Sequence, residues 1–253
     1  DLTNRVASRE AARRSDRMSV VIVGGTGDEG FGLALRLARA GEHVVIGSRS
    51  QERGEGAAQK ALEILGEGVK VEGTSNEEAV AAADVVVVTV PFAGQADTYR
   101  GLKGAFRPGA VVCDCTSPLA TAVGGRAWQV VRPWHGSAAE QAEALLPKTI
   151  RLVSGFQTIS GEELQALDEN LEGDVLICGG DPEAKAVIGG LVEKIPNLRW
   201  VDAGALSMAR IVETLTAVMV QVNRSYGIRR AGIALTGRDG WGSPPQRKGG
   251  VDG

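Results

Sequence analysis

Six residues, Gly25-Thr26-Gly27-Asp28-Glu29-Gly30, have the types and spacing to hold a pyrophosphate. In a G-x-G-x-x-G set between a strand and a helix, the first glycine permits a tight turn and the second lets the backbone approach the anion. The third lets helix and strand pack closely. The free amides and the positive end of the helix then hold the negative charge. Asp28 and Glu29 carry the wrong charge for a phosphate, so their side chains are expected to point to solvent while the backbone faces the ligand. Without a ligand the same residues would be only a glycine-rich turn, so their place in the chain matters.

A second signal lies about 20 residues further on, where a carboxylate ordinarily binds the ribose hydroxyls of NAD. Here the chain reads Ile46-Gly47-Ser48-Arg49-Ser50, with Arg53 close by and no carboxylate among Ile46 to Ser50. A 2′-phosphate wants forked, charge-assisted donors, so Ser48, Arg49 and Arg53 favour NADP over NAD. Groups able to protonate a carbonyl are scarce. His43 reads as structural in a strand, and His135 sits in the loop Arg132-Pro133-Trp134-His135-Gly136. Tyr99 and Tyr226 have helical surroundings and read as packing residues, and the apolar stretch Leu206 to Val222 contains no lysine. Thr89-Val90-Pro91-Phe92 follows a central strand and offers apolar contact. A flavin-like ring, which takes hydride directly, needs no such acid.

The elements that must position these residues follow from periodicity. Ser19 to Val23 is a short apolar run stopping at Gly24-Gly25, and Phe31, Leu33, Ala34, Leu35, Leu37 and Ala38 supply a helix face that Gly41 ends. Strands are expected at His43 to Ile46, Val69 to Glu72, Asp84 to Val90 and Ala110 to Cys115, with helices over Gln51 to Leu65 and Asn76 to Ala83. Four consecutive valines, Val85 to Val88, mark a central parallel strand covered on both faces. This rhythm gives the fold class α/β, a doubly wound and mostly parallel Rossmann sheet with a small C-terminal α/β portion ending in a long helix. The expected parts are a disordered leader over 1–18, an NADP-binding domain over 19–150, a small C-terminal domain over 151–236 and a mobile tail over 237–253. The leader carries five arginines before Met18, which reads as the start of the folded protein.

Composition narrows the function. The 28 Lys and Arg against 31 Asp and Glu give a net charge of −3, which leaves no basic surplus for nucleic acid or an anionic bilayer. Hydrophobic residues make up 43% without a run long enough to span a membrane, while 35 glycines point to backbone work in turns. Cys113, Cys115 and Cys178 cannot all pair and no signal peptide opens the chain, so a reducing cytoplasm is expected. Cys113 and Cys115 read as buried strand thiols, and no metal is expected.

Taken together, Gly24-Gly25-Thr26-Gly27 with Gly30, Leu33 to Ala38 and Gly47-Ser48-Arg49 resemble the NADPH-dependent coenzyme F420 reductase family. The resemblance continues through Thr89-Val90-Pro91, Val153-Ser154, Thr158-Ile159, Asp174 to Asp181 (DVLICGGD), Asp202-Ala203-Gly204 with Leu206-Ser207, and Arg210 to Thr216 (RIVETLT). It implies reversible hydride transfer between NADPH and the 5-deazaflavin F420, with catalysis mostly by positioning and no acid or base residue assigned. By position, Thr26 to Glu29 would line the cofactor phosphates between Gly25 and Gly30, while Val90 and Gly94 would bound the nicotinamide half and Ile159, Gly161 and Leu206 would shape the place where the two rings meet. Pro91, Phe92, Gln157, Ile159 and Leu206 would contact the deazaflavin. Gln157 and Ser160 stand where archaeal members are expected to carry His and Pro, and Gln can still hydrogen-bond the ring. A homodimer is expected from the apolar C-terminal helix. Two other readings stay open on the residues alone: an NADP-dependent imine or carbonyl reductase, and a non-catalytic NADP(H)-sensing domain.

Overall fold

A computed structural model describes residues 19–237 together with 241 and 242. The expected leader over 1–18, and the expected tail apart from Gly237, Trp241 and Gly242, lie outside the described residues. The strands β1 (Ser19–Val23), β2 (His43–Ser48), β3 (Lys70–Ser75), β4 (Val85–Val88), β5 (Val111–Asp114) and β6 (Arg151–Ser154) form one sheet in the order β3-β2-β1-β4-β5-β6. Every neighbouring pair is parallel. This is the doubly wound dinucleotide-binding order. The chain reverses direction across the sheet between β1 and β4, and a crevice opens there at the carboxyl ends of the strands.

Helices cover both faces: α1 (Asp28–Arg39), α2 (Gln51–Leu65), α3 (Asn76–Ala82), α4 (Phe92–Leu102), α5 (Ala138–Leu145) and the short α6 (Gly161–Gln165). Alternation along the strands divides the core in two. Val20, Ile22, Val85 and Val87 join Leu33 and Leu37 of α1 on one face; Val21, Val23, Val86 and Val88 join Tyr99 of α4 and Ala139 and Ala142 of α5 on the other. The four valines of β4 are all buried, as expected of a strand covered on both sides.

Beyond β6, the strands β7 (Gly173–Ile177) and β8 (Leu198–Asp202) make a second, two-stranded parallel sheet joined through α7 (Pro182–Glu193). Ser154 and Cys178 exchange backbone hydrogen bonds of 2.8 and 2.9 Å, an antiparallel bridge that stitches this sheet to the edge of the first. The segment after the expected boundary at 150 is therefore not separate at its start, because β6 is the sixth strand of the large sheet. A 3-10 turn at Leu206–Met208 leads into the long helix α8 (Ala209–Tyr226). Of the expected tail, Gly242 donates its N–H to Trp200 O of β8 at 2.9 Å. Among the described residues no helix is long and apolar enough to cross a membrane.

Candidate functional site

The loop between β1 and α1 is shaped by contacts that no side chain tolerates. Gly24 has φ 75°, in the left-handed region, and Gly25 N donates to Gly47 O of β2 at 3.0 Å. A Cβ on Gly30 would lie 2.4 Å from Thr89 Oγ1, 2.8 Å from Gly25 Cα and 2.9 Å from Gly24 O. Thr89 cannot swing away cheaply, since its hydroxyl donates to Val23 O at 3.1 Å. Gly27 precedes α1 without a side-chain cap, leaving first-turn amides free for an anion.

A cavity of about 760 Å³ opens in front of this loop. Thr26 and Gly27 line it from the loop before α1, Asp28 and Glu29 from the start of α1, and Ser48, Arg49 and Arg53 from the end of β2 to the start of α2. Val90, Pro91, Phe92 and Gly94 line it after β4, and Gln157, Ile159 and Gly161 from the β6–α6 segment. The tertiary structure thus brings fourteen of the sequence-predicted site residues to one cleft. Gly25 and Gly30 stand behind the loop and shape it. Leu206 is the exception: it is buried in the apolar cluster that holds Val212 and Leu176, away from the cleft wall. Its apolar character was satisfied by the core beneath α8.

Ser48 is buried while Arg49 and Arg53 are exposed on the rim. Ser50 caps α2 by accepting from Arg53 N at 3.4 Å, so both arginines flank a helix start. Asn76, which the sequence reading missed, accepts from Gly24 N at 3.3 Å and also lines the cleft. Its signal was its place one residue after β3, level with the phosphate loop across β2.

The floor holds polar groups hidden in apolar sequence. Asp114, the last residue of β5, is fully buried and accepts from Tyr99 Oη at 2.6 Å, Gln95 Nε2 at 2.9 Å and Thr116 N at 3.0 Å. Burial pushes its carboxyl above the ordinary range, against those donors. Tyr99 packs as expected and is also this partner; Tyr226, expected to pack, is 78% exposed because it ends α8. Thr216 of α8 donates to Gln157 O at 2.8 Å and so has its hydroxyl hydrogen spent, which makes Ser117 Oγ the donor across the 2.7 Å contact to Thr216 Oγ1. These bonds pin α8 to the segment carrying Gln157 and Ile159. Phe156, just before it, holds φ 72°, a left-handed conformation rare for an aromatic residue.

One expectation about side chains is corrected. Asp28 is exposed, but Glu29 is not turned to solvent: its Oε1 is buried without a hydrogen-bond partner. Burial, reinforced by the charge of Asp114, pushes its carboxyl up to about 8. Gln157 uses its amide nitrogen on protein acceptors, Asp114 O at 3.0 Å and Ser154 Oγ at 2.8 Å, leaving only Oε1 to offer. Cys113 and Cys115 are both buried, and Cys115 reaches the cleft wall, where burial holds its thiol well above the usual range. His43 meets Glu72 Oε1 at 3.1 Å, and His135 is exposed in its loop; neither lines the cleft.

Comparison with known proteins gives consistent relatives. Residues 19–118 match the model of a family described as NADP oxidoreductase, coenzyme F420-dependent. The chain is 40% identical over 221 residues to the F420-dependent NADP reductase of Methanothermobacter thermautotrophicus, covering 87% of this chain and 95% of that protein. It is 39% identical over 222 residues to the protein of the same name from Methanocaldococcus jannaschii, covering 87% and 98%. A crystal structure described as a candidate F420-dependent NADP-reductase from Arthrobacter sp. FB24 superposes with a TM-score of 0.70 over 87% of this chain and 99% of that one. At 20% identity that likeness speaks for the fold.

Proposed function

This chain belongs to the family of coenzyme F420-dependent NADP oxidoreductases, and from that premise we propose that its cleft catalyses reversible hydride transfer between NADPH and F420. The observation that carries the reading is the composition of the one cleft. It has a glycine cradle for a pyrophosphate, two exposed arginines at one end, and an apolar wall with a single unpartnered amide oxygen at the other. The residues fit a dinucleotide, since the space a Cβ on Gly30 would fill is what lets α1 approach β1 and present its amides. When the two are bound, the nicotinamide of NADPH supplies a hydride and the deazaflavin ring accepts it, with the reverse transfer from reduced F420 to NADP+.

The chain's own residues bind, orient and exclude water. Thr26 to Glu29 stand at the pyrophosphate, and Ser48, Arg49 and Arg53 take the 2′-phosphate, which a carboxylate at that place would repel. Val90, Gly94 and Gly161 bound the nicotinamide half, and Pro91, Phe92, Ile159 and Gln157 form the side against which the deazaflavin rests. Holding two rings in contact is worth orders of magnitude in rate without an acid or base. The reading also includes a homodimer in the cytoplasm: Met208, Ile211 and Val218 leave an apolar strip exposed at and along α8, Ile211 at 57% and Val218 at 55%. The large sheet with its helices then serves nucleotide binding, and the part of the chain beyond β6 completes the deazaflavin side.

The test is direct. Purified protein is mixed with NADPH and oxidised F420 and the loss of deazaflavin absorbance is followed, with FMN and NADH as controls. Rapid bleaching only with NADPH and F420 is expected. Tight NADPH binding without bleaching would remove the deazaflavin half of the reading.

A further inference from the structure

Asp114 ends β5 and is wholly buried, as are the two side chains that meet it, Gln95 and Tyr99. Both oxygens of its carboxylate are engaged. Oδ2 accepts from Tyr99 Oη at 2.6 Å and from Gln95 Nε2 at 2.9 Å, and Oδ1 accepts from Thr116 N at 3.0 Å. The donors are fixed in their turn. Gln95 and Tyr99 lie four residues apart on one face of α4. The Gln95 amide cannot turn over, because its nitrogen also donates to Ala138 O at 2.9 Å while its oxygen accepts from Gln141 Nε2 at 2.9 Å. Asp114 does not itself line the cleft, so what its carboxylate sets is the chain around it.

That chain forms part of both sides of the site. The bond from Thr116 N to the side chain two residues back is an Asx turn, which bends the backbone as it leaves β5. Cys115, Thr116 and Ser117 then run along the cleft wall, where Thr116 Oγ1 donates to Val90 O at 3.3 Å. The backbone carbonyl of Asp114 accepts from Gln157 Nε2 at 3.0 Å and from Gly155 N at 3.1 Å, at the start of the segment that carries Gln157 and Ile159. Asp114 is thus one bond from Gln157 and one residue's reach from Val90.

We infer that Asp114 is a positioning residue for hydride transfer: held by Tyr99 and Gln95, it registers the nicotinamide side of the cleft against the deazaflavin side. This rests on the function proposed above. A misplacement of about 1 Å between reacting groups costs about 100-fold in rate, so a small opening of this turn is felt in the transfer step before it is felt in binding. Asp114→Asn opens it by setting an N–H against Thr116 N or against the donors of α4.

The test is single-turnover bleaching of F420 by an excess of the whole chain saturated with NADPH. The first-order rate constant reports how the rings are placed, and the amplitude reports how much of the protein is folded and active. Asp114→Asn is expected to lower the rate constant about 30-fold while Kd for NADPH stays within about threefold. Tyr99→Phe keeps the ring and the charge of Asp114, which also acts on Glu29, and deletes only the 2.6 Å bond. It is expected to lower the rate constant about threefold. Loss of amplitude or of melting temperature at an unchanged rate constant, in either variant, overturns the inference by leaving Asp114 a purely structural residue. If Asp114→Asn does not fold, Tyr99→Phe decides alone, and a rate constant equal to that of the unaltered chain overturns it. If the unaltered chain does not bleach F420, the inference falls together with the function beneath it, whereas bleaching equally fast in all three proteins removes the inference and leaves that function standing.

Discussion

Replacing Arg49 by alanine tests the cofactor end of the cleft most cleanly. Arg49 lines the cleft from the exposed end of β2, and none of the ion pairs among the described residues uses it or Arg53. Its guanidinium is therefore available to a ligand, and its removal strands no buried carboxylate. Two unit charges 4 Å apart attract by about 1 kcal/mol in water and about 4 kcal/mol at the effective dielectric of a protein surface. An exposed rim lies between these limits, and hydrogen bonds to charged groups contribute about 1.5–3 kcal/mol. Loss of about 2 kcal/mol raises Kd about 30-fold. We expect this for NADPH, no more than a twofold change for NADH, and a melting temperature that stays put, as for most exposed substitutions. Titration of ligand fluorescence at two salt concentrations gives both constants, and the salt dependence of NADPH binding is expected to flatten in the variant. Equal weakening of NADPH and NADH would refute the 2′-phosphate assignment. Because Arg53 would share the same anion, the double variant is expected to fall short of the sum of the singles.

Gly30→Ala places a methyl group against Thr89 Oγ1 and the backbone of Gly24 and Gly25, so α1 must shift; overpacking of about 1–3 kcal/mol is expected in a thermal melt, with NADPH affinity reduced more than tenfold. Glu213 is fully buried and accepts from Ala138 N at 2.8 Å and Ala139 N at 2.9 Å, joining α8 to the start of α5. Glu213→Gln turns an N–H toward one of those donors, and a loss of about 2 kcal/mol, or about 4–8 °C in Tm, is expected by calorimetry. Asp181 caps α7 and is gripped by the Arg151 guanidinium, which lowers its carboxyl from 3.8 to about 2. A depressed acid stabilises the fold above its ordinary value and loses that contribution as pH falls through its folded one, so the slope of stability between about pH 4 and 2 is expected to be shallower in Asp181→Asn. An unchanged acid limb in urea titrations would refute this.

How far the chain could be read from its residues depended on whether a feature is local. The loop from Gly24 to Gly30 and the buried valines of β4 depend on neighbours within a turn or on a strand's alternation, so residue order was enough. The arginines in place of an acid after β2 spoke for a 2′-phosphate for the same reason: a strand end, a loop and a helix start are set by a few consecutive residues. Resemblance then carried the deazaflavin, which no spacing in the chain encodes.

The remainder of the cleft came from packing between distant segments. Glu29 looked like an exposed helical acid, and only the tertiary structure shows its Oε1 buried and its carboxyl pushed up to about 8 by burial and the charge of Asp114. Asp114 itself looked like one polar residue at the end of an apolar strand. Its meaning lies in Tyr99 and Gln95, which α4 delivers across the sheet edge. Leu206 carried a family motif yet went to the core, because an apolar side chain in a helical approach is claimed by whichever apolar surface is nearer. Periodicity reports whether a residue faces protein or water, and so it places walls and strands. Which polar atom is left without a partner depends on every segment that could have supplied one, and that is decided only when the chain has closed on itself.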